Sequence, residues 1–209
     1  MDKALLDKLK EQLVGELPGA EAQYQMAHVS RASAKPAPAN ALEAAVLILL
    51  FPKDDGWHIA FTQRASKYEN DKHKGQMSFP GGKIEDVDAD YNAAALRETE
   101  EEIGVPRSNV KTLGALSPLY IPVSNFAVQP VVGYIESEPN FVLEENEVVE
   151  LVSENVEKLC SGELKSVMDM AVSEHLTLKR VPYFDVEGKV VWGATAMILN
   201  EFVTLLKQN

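Results

Sequence analysis

The sequence predicts a mixed α/β domain, with one mixed β-sheet held between helices. Three features predict it. Residues 44–51 form an unbroken apolar run of strand length, and Lys53-Asp54-Asp55-Gly56 turns the chain into a second run at 57–63. An acidic helix is stopped by Gly104, with Pro106 just beyond. A closing helix at 194–207 carries Ile198, Phe202, Leu205 and Leu206 as its apolar side. Strands and helices alternate between these landmarks without regular βαβ spacing.

In chain order, residues 3–17 place Leu5, Leu6, Leu9, Leu13 and Leu17 at helical spacing, and Pro18-Gly19 stops the pattern. The expectation is an amphipathic helix packed on the domain or on a second subunit, which makes a homodimer plausible. Both charge signs on its polar face argue against a membrane-surface role. Residues 30–40 are rich in Ala, Pro and Ser and predict an extended connector. Residues 1–40 therefore read as an N-terminal helix and connector, and 41–209 as the main domain. After the hairpin, a Gly- and Lys-bearing loop covers 66–88, and Asp88 or Asp90 can cap the acidic helix, which runs to about Ile103. Strands are expected at 110–116 and 127–135, a helix at 147–159, and a strand pair at 181–184 and 189–192.

Bulk properties restrict the function classes. The 209 residues suit one domain, alone or with a short extension. Lys and Arg number 20 against 32 Asp and Glu, a formal charge of −12. Such a chain is a poor nucleic-acid binder, because that work needs cations to neutralise phosphates. It can still act on a phosphate-bearing small molecule if a divalent cation inverts the local field. The apolar run at 44–51 is too short to span a bilayer. The N-terminal apolar residues are interrupted by Asp7, Lys8, Lys10 and Glu11, unlike a signal peptide. A single cysteine, Cys160, fits a reducing cytoplasm and leaves no thiolate cluster for zinc.

The chemistry is concentrated in the acidic helix. Glu98, Glu101 and Glu102 are three and four positions apart and share one face. Like charges at this spacing repel by about 0.2–0.5 kcal/mol per pair. Glu101 and Glu102 also sit near the helix C-terminus, where the dipole disfavours anions. A cation offsets both costs, and hard carboxylate oxygens select Mg²⁺ or Mn²⁺. An isolated acidic run is more simply a solvated face; the glycines and the loop before it favour the metal.

The segment Gly82…Asp88…Arg97-Glu98-Thr99-Glu100-Glu101-Glu102-Ile103-Gly104-Val105 resembles the Nudix box. Asp88 stands at the first acidic position, where Glu is usual, with eight residues before Arg97, and Thr99 stands at an aliphatic position. Phe61-Thr62-Gln63-Arg64, His73 to Gly82, and Trp192 to Leu199 are similar to stretches of the coenzyme A pyrophosphatase branch. The resemblance implies a Nudix-type α/β/α sandwich with a loop–helix–loop catalytic motif. It implies Mg²⁺- or Mn²⁺-dependent hydrolysis of a nucleoside diphosphate derivative. Coenzyme A would give 3′,5′-ADP and 4′-phosphopantetheine. Glu98 and Glu102 map to usual metal ligands, Glu101 to a ligand or water-orienting group, and Arg97 to the arginine that holds a glutamate. A carbonyl near Gly81-Gly82 would complete the coordination.

Around that core, Arg64, His73, Gly75, Gln76, Gly81 and Gly82 are the candidate substrate-binding residues. Arg64, with Lys72, His73 and Lys74, can meet phosphates. The glycines can let backbone approach a diphosphate or serve simple turns. No second histidine stands at ligand spacing to His73. Tyr120, Phe126 and Trp192 can line a pocket, although core packing is the default. The general base is open between Glu101 and Glu147, and a helix-start carboxylate is the plainer reading of Glu147. Two other functions compete: the same chemistry on another diphosphate such as ADP-ribose, and a silent binding module.

Overall fold

The computed structural model describes residues 3–31, 33–65, 75–173 and 176–208. Its centre is β1 (Leu42–Lys53), the apolar run found in the sequence. β2 (Gly56–Arg64) folds back antiparallel to it, pairing Leu50 with Ile59 and Lys53 with Gly56. The short β3 (Met77–Ser78) pairs with β2, and β4 (Gly81–Lys83) pairs with the first half of β1. A strand has two faces, and β1 buries both. Ala45, Leu47, Leu49 and Phe51 pack with Ala94, Ala95 and Ile103 of the acidic helix. Ala44, Ile48 and Leu50 pack on the other side with Leu199 and Phe202. The sheet thus lies between helical layers, as the sequence predicts.

The acidic helix, α1, spans Tyr91–Ile103. Asp90, one of the two expected caps, accepts from Ala93 N at 2.8 Å. Gly104 ends the helix in the left-handed conformation at φ 70°. β5 (Lys111–Ala115), β6 (Leu119–Ile121) and β7 (Phe126–Tyr134) follow. β7 runs parallel to β1 along nine residue pairs from Leu42↔Phe126 to Leu50↔Tyr134. That parallel pair makes the sheet mixed.

Residues 147–159 depart from the expected helix. β8 (Val148–Asn155) is a strand, followed by the short helix α2 (Val156–Ser161). The reason is tertiary. β2 offers a whole edge, and β8 fills it from His58↔Asn155 to Arg64↔Val148. Asn155 then caps α2, accepting from Glu157 N at 2.8 Å. The expected pair at 181–184 and 189–192 belongs to a larger second sheet. There β10 (Leu176–Val186) pairs with both β11 (Lys189–Trp192) and β9 (Lys165–Ser173). β9 escaped sequence reading because Lys165, Ser166 and Asp169 leave no alternating apolar pattern.

The closing helix α3 (Gly193–Lys207) is almost wholly buried. The N-terminal residues form two helices here, Lys3–Gln12 and Gly19–Tyr24, where the sequence suggested one. Leu6, Leu9 and Leu13 join the same core as α3. The apolar stripe is thus consumed within the chain, and a dimer has to use another surface. Glu201, fully buried on α3, accepts from Gly19 N at 3.1 Å, Gln23 Nε2 at 2.7 Å and Ser117 N at 3.1 Å. Among the described residues no helix is long and apolar enough to cross a membrane.

Glu201 ties the Gly19–Tyr24 helix and the β5–β6 turn to α3. Glu201→Ala takes an acceptor from buried Gln23 and from two part-buried backbone N–H groups, and should lower unfolding free energy by about 2 kcal/mol or more in urea denaturation. A loss below about 1 kcal/mol would show that water replaces the carboxylate.

Candidate active site

Four elements bring carboxylates together. α1 supplies Glu98, Glu101 and Glu102. β4 supplies the Gly81-Gly82 backbone, fixed by Val46↔Gly81 and Ala45↔Gly82 pairing. The end of β2 supplies Arg64, and the residue before β8 supplies Glu147. Glu147 O accepts from Ala65 N at 2.8 Å, which ties the last two together. The loop before β8 is docked on the end of α1, with Glu144 N donating to Glu102 O at 3.0 Å and Val142 N to Ile103 O at 3.0 Å. Glu147 therefore does not begin a helix, and the helix-start reading of it is corrected.

Arg97 is the hub. Its Nε and Nη2 donate to Asp88 Oδ1 and Oδ2 at 3.0 and 2.9 Å, a bidentate pair. Its Nη1 donates to Glu98 Oε1 at 2.7 Å and Glu101 Oε2 at 3.0 Å, and Nη2 also reaches Lys83 O at 3.1 Å. The bond to Asp88 leads in raising the arginine above its ordinary pKa, and the same bond leads in holding Asp88 below its own. Asp88 also accepts from Glu85 N at 2.9 Å, so it anchors the arginine to the loop. Its role could be suspected from sequence only as the shifted first acidic position.

The glutamates differ. Glu102 is 4% exposed, accepts from Gly81 N at 3.1 Å, and lies 3.9 Å from Arg64 Nη1. Burial pushes its pKa up to about 7, with Glu98 and Glu147 adding to the rise and Gly81 and Arg64 opposing it. Burial also raises Glu98, while Arg97 lowers it and Glu101 and Glu147 raise it further. Glu101 is half exposed, with one oxygen on Arg97. The three helix glutamates share a face, yet they do not close on one point. Arg97 holds two of them and Gly81 N–H the third. Among the described residues no group of three or more His, Cys, Asp or Glu is preassembled as a metal cage.

The donor set nevertheless fits a hard divalent cation. Buried Glu102 and half-buried Glu98 are close enough to each other and to Glu147 for their charges to conflict, and Arg64 offsets Glu102 only from 3.9 Å. Glu98, Glu101 and Glu102 are the side chains that could hold such an ion, with Glu147 beside them.

The glycines are explained mostly by the protein itself. A Cβ on Gly81 (φ 150°) would stand 2.3 Å from Ala45 O, and one on Gly82 2.5 Å from Glu98 Cδ. Gly82 thus lets the Glu98 carboxylate reach the backbone. Gly75 (φ 72°) has no such neighbour; it serves a turn, with its N–H donating to Arg64 O at 3.0 Å. Arg64, Gly75, Gln76 and Gly82 line a cleft of about 1230 Å³, as do Phe126 and Trp192. Gly81 and Tyr120 do not line it. Lys72, His73 and Lys74 lie outside the described residues. Cys160 is half-buried, and burial raises its thiol pKa, as an inert thiol requires.

Folded Glu102 keeps its proton to higher pH than unfolded Glu102. Its contribution to stability is full below pH 4.5 and is lost as pH rises through about 7. Metal-free Glu102→Gln should therefore be more stable than wild type near pH 8, by about 2–3 kcal/mol. The difference should vanish near pH 4. Urea denaturation at the two pH values checks this, and equal stability at both would refute the strained carboxylate.

Comparison with known proteins agrees with this geometry. The model of the NUDIX domain matches residues 41–182. The uncharacterised Nudix hydrolase NudL of Enterobacter sp. (strain 638) is 34% identical over 176 residues, covering 78% of this chain and 81% of its own. NudL of Cronobacter sakazakii is 32% identical over the same shares, 78% and 81%. In fold, the chain is similar to the MutT protein from Methanosarcina mazei Go1, with TM-score 0.51 at 13% identity, covering 80% of this chain and 96% of that one. The matched region carries the glycine pair, the Arg97 hub and all three helix glutamates, and the chain belongs to the NUDIX family as a Nudix pyrophosphohydrolase.

Proposed function

We propose that this enzyme hydrolyses the diphosphate bond of coenzyme A or its derivatives, giving 3′,5′-ADP and 4′-phosphopantetheine. One observation carries the site: buried Glu102 and half-buried Glu98 crowd the Gly81-Gly82 backbone beside a large cleft. Nudix hydrolases generally use divalent metal ions, and we assign Mg²⁺ or Mn²⁺ here to Glu98, Glu101 and Glu102. A bound ion of that kind neutralises phosphoryl oxygens and acidifies a water.

The chain's own groups do the rest by positioning and electrostatics. Arg97 fixes Glu98 and Glu101 against the loop. Gly82 leaves room for Glu98. Arg64, which lines the cleft near Glu102, supplies positive charge for a phosphate. Glu101 keeps one oxygen away from Arg97 and so can accept a proton from an attacking water. Glu147 is the second candidate for that proton, since it stands near Glu98 and Glu102. The coenzyme A assignment is supported by the sequence likeness around Arg64 and Gly75 to Gly82, and by the size of the cleft. The intact set of box glutamates argues against a silent binding module.

With Mg²⁺ and coenzyme A, mass spectrometry should detect 3′,5′-ADP and 4′-phosphopantetheine. A tenfold or greater preference for ADP-ribose would reject this substrate. Glu102→Gln should lower kcat by about 10³-fold or more while circular dichroism stays native, a magnitude in keeping with electrostatic groups at reacting phosphates. Gly82→Ala should lower kcat at least about 100-fold with little change in melting temperature. The added methyl displaces only the end of Glu98. Wild-type turnover in either variant would reject the assignment of that residue.

A further inference from the structure

The cleft has a wall that belongs to the N-terminal segment. Met26, His28 and Arg31 line it together with Ile121 and Phe126. Arg31 Nη2 donates to the Tyr120 carbonyl, and the guanidinium carbon lies 5.8 Å from the Tyr24 ring centroid. Its Nε is buried without a hydrogen-bond partner. Among the described residues no carboxylate pairs with it, in a chain of net charge −12. The residue as a whole is half-exposed, so the fork keeps a face toward the cleft while its buried Nε goes without an acceptor, which is costly. Its planar fork suits a carboxylate or phosphate.

Strand register gives its place. Tyr120 pairs with Ala127, Ala127 with Glu43, and the neighbouring Ala44 with Lys83. Three strand spacings separate Tyr120 from the glycine loop, on the order of 14 Å. A group held at Arg31 is therefore distinct from one held at Gly82. Resting on the diphosphate-hydrolase reading, we infer that Arg31 receives a second anionic group of the substrate, remote from the scissile diphosphate. That group is a phosphate on the nucleoside sugar or a carboxylate at the end of the other arm.

Binding without turnover tests it. Titration calorimetry would compare 3′,5′-ADP with 5′-AMP, and 4′-phosphopantothenate with 4′-phosphopantetheine, on wild type, Arg31→Met and Arg31→Lys. Wild type should prefer the member with the extra anion in one pair, and that pair names the arm. Arg31→Met should bind that member at least tenfold more weakly and the other member as wild type does. Arg31→Lys should lose less. If wild type has no such preference, if Arg31→Met retains it, or if all four probes weaken equally, the inference falls. Selective loss in Arg31→Met from a protein that leaves coenzyme A uncleaved would keep the inference and reject the substrate.

Discussion

The site depends on two carboxylates drawn at least partly out of water, Glu102 buried and Glu98 half-buried. Glu102 lies under the Gly81 N–H, and Glu98 sits against Gly82 where a β-carbon would otherwise be. Neither position exists without β1. The glycines stand opposite Ala45 and Val46 in the strand register, and the helix bearing the glutamates packs on alternate residues of that same strand. Loop and helix are thus set against each other by one buried rod of apolar side chains. The charge crowding follows from this placement, and a divalent cation would relieve it.

Arg97 makes the crowding tolerable when the chain stands alone. It meets at once Asp88, Glu98, Glu101 and the Lys83 carbonyl at the end of β4. Its fork on Asp88 fixes the guanidinium, and the fixed guanidinium in turn restricts Glu98 and Glu101. The shifted acidic position therefore preserves the clamp with a shorter side chain. Glu102 lacks this partner and bears the desolvation most heavily, so it is the group with the most to gain from an arriving positive charge.

The N-terminal segment and the second sheet give the site its boundary. His28 reaches the Lys179 carbonyl at 3.0 Å, so the N-terminal segment meets β10. Met26, Arg31 and Leu178 all line the cleft. Glu201 and Asn200, buried on α3, hold the Gly19–Tyr24 helix that leads into this segment. A fully bonded buried network of that kind fixes geometry through partners rather than through net energy. The cleft's wall is consequently a tertiary product of residues far apart in the chain.

The sequence alone determined the central hairpin, the capped acidic helix, the closing helix and the common face of Glu98, Glu101 and Glu102. These rest on local periodicity, turn chemistry and a multi-position motif, all written in neighbouring residues. Tertiary structure decided the rest. β8 is a strand because β2 presents an open edge, and β9 is one because β10 does. Arg64 and Glu147 arrive beside Glu102 through strand pairing across more than eighty residues, which no local pattern encodes. Which carboxylate is buried, and which arginine is left without an anion, depends on solvent exclusion by distant segments, and that is a property only of the folded chain.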